Sequence, residues 1–115
     1  MKNKNKVPSQ GDVIWIDLSE GSSLGHEQQG RRPVLVVSND KFNKMSGGLV
    51  KVIPITTSTH KFPFRIELPE KFKVKGNLMI DQERTVDVIN RNYQFYCHLP
   101  KEYVEKIIEL LLTCF

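Results

Sequence analysis

Residues 25–33 read Gly-His-Glu-Gln-Gln-Gly-Arg-Arg-Pro and run directly into Val34-Leu35-Val36-Val37, an apolar stretch that ends at Ser38. A polar, glycine-punctuated loop therefore feeds a strand with no polar residue for four positions. Proline bars the α region to the residue before it, so Arg32 is pushed to an extended backbone, and Pro33 can open a strand without costing a central ladder donor. Arg32 is thereby held where a rigid sheet meets a loop. A guanidinium fixed there, with the carboxylate of Glu27 five residues upstream, suits a phosphate and the hydroxyl that attacks it. The same two charges also fit a solvated ion pair in a surface turn.

The rest of the chain supplies a sheet for that strand to join. Asp12–Leu18 is strand-like, with Val13 and Trp15 on one face and Ile14, Ile16 and Leu18 on the other, which predicts a strand at least partly covered on both sides. Residues 19–32 carry Gly21, Gly25 and Gly30 and no periodicity, a long loop of the kind that is functional or mobile. Ser38 or Asn39 can cap a short helical turn over Asp40–Met45, ended by Gly47-Gly48. Strands are expected at Leu49–Ile55, Phe64–Leu68, Asn77–Gln82 and Tyr93–Leu99. The last has Phe95 and Cys97 opposite Tyr96 and His98. Between them, Thr56–Pro63 is a hydroxyl-rich loop, Pro69–Gly76 a lysine-bearing connection, and Asp87–Asn90 a turn or single helical turn. Pro100 sits where a helix takes its first residue. Tyr103, Val104, Ile107, Ile108, Leu111, Leu112 and Phe115 then recur at helical spacing as one broad apolar face. Several short strands and one terminal helix give an α+β class, a small, strongly bent antiparallel sheet closing toward a barrel.

One domain is all that 115 residues can build. The expected division is a flexible basic tail over residues 1–10 and a single domain over 11–115. Of the net charge of +4, three units come from Lys2, Lys4 and Lys6, so the remainder is nearly balanced and charge alone says little about a polyanionic partner. No apolar run approaches the roughly 20 residues of a membrane span, and Met1–Gln10 lacks the apolar stretch of a signal peptide, so a cytoplasmic protein without a membrane partner is expected. Cys97 and Cys114 are far apart with no metal-binding spacing. Neither HExxH nor a tight carboxylate cluster occurs, so no metal or cofactor is expected.

The pattern Gly-x-Glu-Gln-x-Gly-x-Arg-Pro before an apolar strand and Ser38 resembles the signature of the MazF/PemK family, the toxins of bacterial toxin–antitoxin pairs. Ile53-Pro54-Ile55-Thr56-Thr57 resembles the family's second motif, and Ile80-Asp81-Gln82 with Arg84-Thr85 its third. The likeness runs from about Gly11 to the C-terminus in the family's order. It implies a compact barrel of the PemK/CcdB type with a C-terminal helix, usually a homodimer, and a sequence-selective endoribonuclease that cuts single-stranded RNA and is blocked by a cognate antitoxin. It also implies a catalytic core of the residues matching Arg32 and Thr56.

RNA carries its own nucleophile in the 2′-hydroxyl, so cleavage needs deprotonation of that group, stabilisation of the phosphorane and protonation of the leaving 5′-oxygen, and no metal-bound water. Arg32 suits the second task, since its planar fork donates two bonds to phosphate and stays charged. Thr56 is expected to orient or donate to a phosphate oxygen. Taken without the motif, it is equally a strand-end hydroxyl bonded to its own backbone. Glu27 is the candidate base, the one acceptor in the motif besides its amides. Base reading falls to Gln28 and Arg31 from the first loop and to Thr57, Ser58, Lys61 and Phe62 from the second. Phe62 can stack on a base or pack beneath its own loop. Asp81, Gln82 and Arg84 are candidates to position a nucleotide, Asp81 and Gln82 alternatively to brace the arginine, with Asp81 equally a buried structural acceptor. His60 is a loop residue or an RNA contact, and His26 stands where the family has small residues. Two other readings stay open: a non-enzymatic inhibitor on the same barrel, like the gyrase-poisoning toxins, and an RNA-binding module without cleavage. The first is disfavoured because those toxins carry a tryptophan at the end of the terminal helix, whereas here Trp15 is the sole tryptophan.

Overall fold

The computed structural model describes residues 7–18, 31–58 and 64–115. In chain order these form β1 (Asp12–Asp17), β2 (Arg31–Val36), α1 (Asp40–Met45), β3 (Leu49–Thr56), β4 (Arg65–Glu67), β5 (Asn77–Met79), a 3-10 turn at Ile80–Gln82, β6 (Arg84–Asp87), β7 (Gln94–His98) and α2 (Lys101–Leu112). The class is α+β, as the alternation of short strands with one terminal helix predicts. The strands form one antiparallel sheet in the order β4-β5-β3-β2-β1-β7, with β6 also on β3. Among the described residues the sheet is bent but not closed, with β4 and β7 at the two ends of this order.

The bend is built into β3. Its first half, Leu49–Val52, pairs with β6, and its last two residues, Ile55 and Thr56, pair with β5. The register shifts by three residues between the two partners, which is the length of the intervening 3-10 turn. Two expectations are corrected here. The strand expected over Asn77–Gln82 stops at Met79, because Ile80–Gln82 coil out of the ladder. Arg84–Asp87, not foreseen as a strand, resumes the ladder beyond the coil. The turn expected after Asp87 follows it, with the Asp87 carboxylate accepting from the amides of Ile89 and Asn90.

Alternation along β2 divides the core into two layers. Val34 and Val36 are fully buried beside Ile14, Ile16, Val50, Val52, Val86 and Val88. Leu35 and Val37 face the other way, with Val13, Ile53 and Ile55, into the layer that α2 covers with Val104, Ile107 and Leu111. Each such aliphatic side chain contributes about 1.5–3 kcal/mol on burial. The apolar run after Pro33 thus belongs to a central strand with both faces covered.

Helix α1 begins as expected: Asn39 caps it by accepting from the Phe42 amide at 2.8 Å. Its Asn43 is fully buried and tied to three groups. The Ser38 hydroxyl donates to its Oδ1, and its Nδ2 donates to the carbonyls of Pro8 at 3.1 Å and Ser38 at 3.2 Å. Of the tail expected over residues 1–10, residues 1–6 lie outside the described residues. Pro8 and Gln10, by contrast, are docked, Gln10 through its amide to Asp40 and its side chain to the Val37 carbonyl.

Two further expectations shift. Pro100 is the N-cap of α2 and not its first residue. The apolar face of α2 is wider than the sheet beneath it: Val104, Ile107 and Leu111 are buried, whereas Leu112 is 61% and Phe115 85% exposed, the latter past the helix end. The lysine-bearing connection before β5 also belongs to the core, through the buried Phe72 and Val74.

Candidate active site

The site is opened by a proline. The amide of Val37 donates to the Lys51 carbonyl at 2.9 Å, so by antiparallel alternation the odd-numbered residues of β2 turn their N–H groups toward β3. Pro33 is the next odd position past Leu35 and has no N–H to give. The β2–β3 ladder ends at Val34↔Pro54, and Pro33 and Ile55 part to line a groove of about 400 Å³. Pro54 is tolerated in this central strand for the complementary reason. Its nitrogen faces away from β2, into the interval between β5 and β6.

Continuing the register by two residues sets Arg32 opposite Thr56, on the same side of the sheet, and both line the groove. Arg32 is half-buried, and its guanidinium makes no hydrogen bond or ion pair with any described residue. Its five donors are therefore unengaged there. Thr56 is the last residue of β3, and its Oγ accepts from the Ser58 amide at 3.1 Å. That bond orients the hydroxyl and leaves its proton to donate. The strand-end hydroxyl is thus bonded to backbone two residues on, and the same residue lines the groove.

Arg31 is used differently. Its guanidinium donates to the Trp15 carbonyl at 3.2 Å, to Gln94 Oε1 at 3.3 Å and to the Asn92 carbonyl at 3.5 Å, stitching β2 to β1 and to the start of β7. It lines the groove as a fixed positive charge. Lys75 adds a third cation, and no carboxylate lines the groove among the described residues. In a chain with 17 basic and 13 acidic side chains, that local excess selects for an anion.

The other predicted residues fall in three places. Thr57 is exposed on the groove wall, and Ser58 follows it. Asp81 lines a different hollow, with Phe64 and the end of α2; Gln82 is exposed on the same 3-10 turn, and Arg84 stands opposite Val52 in the β3–β6 ladder. These three are not on the Arg32 groove. Glu27, Gln28, Lys61 and Phe62, together with His26 and His60, lie outside the described residues. Among the described residues, no three His, Cys, Asp or Glu side chains cluster as a metal would require, and no helix is long and apolar enough to cross a membrane.

Trp15, Tyr96 and Lys75 are groove residues that the sequence reading missed. For Lys75 a signal was present: Lys71, Lys73 and Lys75 alternate with Phe72 and Val74, so burying the apolar pair turns the lysines outward. For Tyr96 there was none. Val13 pairs with Cys97 but Ile14 pairs with Phe95, leaving Tyr96 as the extra residue of a β-bulge. The bulge breaks the expected alternation, and Tyr96 and Cys97 both pack toward the α2 layer.

The family model described as PemK-like, MazF-like toxin of type II toxin–antitoxin system matches residues 9–115. This chain belongs to that family. Endoribonuclease EndoA of Bacillus subtilis is 34% identical over 109 residues, covering 91% of each chain. Among solved structures, MazF of Deinococcus radiodurans superposes with a TM-score of 0.77 at 29% identity, covering 95% of this chain and 96% of that one. The MazE–MazF complex from the same organism gives 0.75 at 26% identity, covering 95% of each. In this PemK-like chain the first two family motifs meet in one place: the arginine before Pro33 and the threonine closing β3 share a groove.

Proposed function

We propose that this protein is the toxin of a toxin–antitoxin pair, an endoribonuclease that cuts single-stranded RNA at selected sequences by attack of the neighbouring 2′-hydroxyl. The observation that carries this is an unengaged arginine beside an oriented threonine hydroxyl, in a groove with three cations and no carboxylate among its described residues. Family membership and the named endoribonuclease relative support it.

Arg32 binds the non-bridging oxygens of the scissile phosphate and stabilises the added charge as the phosphorane forms. Thr56, its lone pair held by the Ser58 amide, donates its proton to one of those oxygens. Glu27 takes the proton of the 2′-hydroxyl; O2′ then bonds to phosphorus, the P–O5′ bond breaks, and O5′ takes up a proton. The products are a 2′,3′-cyclic phosphate and a 5′-hydroxyl. No step requires a cofactor. Gln28, Thr57, Ser58, Lys61 and Phe62 read the flanking bases, and Arg31 serves as a fixed charge.

The Deinococcus relative is solved as a MazE–MazF complex. By extension, a cognate antitoxin covers this groove, with an acidic, otherwise disordered segment as the complementary chemistry. The working unit is a homodimer in the cytoplasm.

The test is end-mapping of a long RNA cut in the presence of excess chelator, followed by a single 2′-deoxy substitution at the preferred site. Discrete cuts with 2′,3′-cyclic phosphate ends, abolished by that substitution, are expected. Cutting that survives it would rule out attack by the adjacent hydroxyl.

A further inference from the structure

Three features of the groove wall lie outside the family motifs and converge on one another. Trp15 and Tyr96 meet edge to face, ring centroids 5.7 Å apart and planes at 70°, and both line the groove that holds Arg32 and Thr56. Tyr96 reaches that position only because the bulge in β7 turns it there. Bulges beside functional sites commonly re-aim a side chain in this way. The Lys73 ammonium lies 4.9 Å from the Tyr96 ring centroid, and Lys75 stands on the groove rim with its ammonium on the Glu70 carbonyl.

We infer that Trp15 and Tyr96, flanked by Lys73 and Lys75, form a stacking subsite for the unpaired base of a nucleotide next to the scissile phosphate. The subsite rests on the assignment of the groove to RNA and specifies how one nucleotide is held in it. An aromatic wall within a cationic groove is the combination that binds single strands: the cations follow the phosphates and the rings take the bases, with little regard to base identity. Trp15 and Tyr96 are each only half-buried, so the aromatic surface is not consumed by the core. The bland alternative is that the two rings only roof the α2 layer, toward which Tyr96 packs.

Trp15 is the only tryptophan, so its emission reports on the subsite directly. Once a cut site is mapped, an oligoribonucleotide spanning it is made non-cleavable by one 2′-deoxyribose. Two further versions each lack the base on one side of the scissile phosphate. The intact strand should quench Trp15, and removal of one of the two bases should weaken binding at least tenfold, within the roughly 5- to 150-fold per stacked base expected from aromatic platforms. Tyr96→Leu should weaken the intact strand by a similar factor and leave that abasic strand within twofold. Equal binding of intact and both abasic strands by the unaltered protein overturns the subsite, as does equal weakening of intact and abasic strands by Tyr96→Leu. If RNA is cut while the abasic strands bind normally, the subsite fails and the nuclease assignment stands. If no RNA is cut, the nuclease assignment fails. The titration is then run with a mixed-sequence single-stranded RNA, where quenching of Trp15 retains the subsite and its absence removes it.

Discussion

Arg32 and Arg31 are neighbours of the same type with opposite commitments. The Arg31 guanidinium spends its donors on the backbone of β1 and on the residues around the start of β7, whereas the Arg32 guanidinium bonds to no described residue. Arg32→Ala should therefore leave thermal stability within about 0.5 kcal/mol, as for a side chain without partners, and lower kcat roughly 10²- to 10³-fold, the loss typical of one oxyanion donor. Arg31→Ala should show a measurable drop in denaturation midpoint as well as weaker RNA binding. A folded Arg32→Ala variant with full kcat would remove that residue from the chemistry. Cysteine reactivity divides in the same way. Burial pushes the Cys97 thiol above its ordinary range, while Cys114 is exposed at the chain end, so alkylation near neutral pH should label Cys114 first, as peptide mapping would show. Arg32 and Pro33 were legible as lying near the start of a strand, though β2 opens earlier, at Arg31, because Arg31 and Arg32 already pair with Asp17 and Ile16. Which of the two arginines stays free was not, because that depends on carbonyls 16 and 61 residues away.

The elements that carry the site are held by backbone geometry more than by side-chain contacts. Gly76 has φ +122°, and a Cβ there would stand 2.6 Å from the carbonyl oxygen of Thr56. Gly76→Ala should therefore destabilise the fold by about 2 kcal/mol or more, through steric overlap and a strained φ, and should lower activity further by displacing the end of β3. Urea denaturation with a parallel cleavage assay separates the two losses. The turn after β6 supplies a pH dependence. The Asn90 side chain, followed by its amide, holds the Asp87 carboxyl below the ordinary carboxylate value of 3.8. Its folded pKa is depressed, so its contribution is present above about pH 3.8 and is lost as pH falls through the lower folded value. The stability gap between wild type and Asp87→Asn should narrow below that pH in acid unfolding followed by circular dichroism. The apolar, β-branched runs of β1, β2 and β3 made those strands legible. The 3-10 interruption and β6 were not legible, since Ile80-Asp81-Gln82 continues a strand-like pattern and only the register with β3 shows that three residues have left the ladder.

For the molecule as a whole, binding should follow the groove's charge. If three cations meet phosphates, log K for a short single strand should fall with log salt at a slope of about −2, and Arg32→Ala should make the slope shallower by about 0.7. Fluorescence titration at several salt concentrations measures both, and a slope near zero would leave the groove without a polyanion. By itself, the order of residues determined the α+β class, the covered central strand after Pro33, the capped α1 turn and the apolar stripe of α2. Each follows from local sterics and from a period of 2 or 3.6, which neighbouring residues carry among themselves. Only the tertiary structure decided that the β2–β3 ladder stops at Pro33 to open a groove, that Arg32 and Thr56 both line it, and that a bulge sets Tyr96 beside Trp15. Those outcomes depend on register between strands distant in sequence, and a shift of one residue there turns a side chain to the other face while local periodicity stays the same.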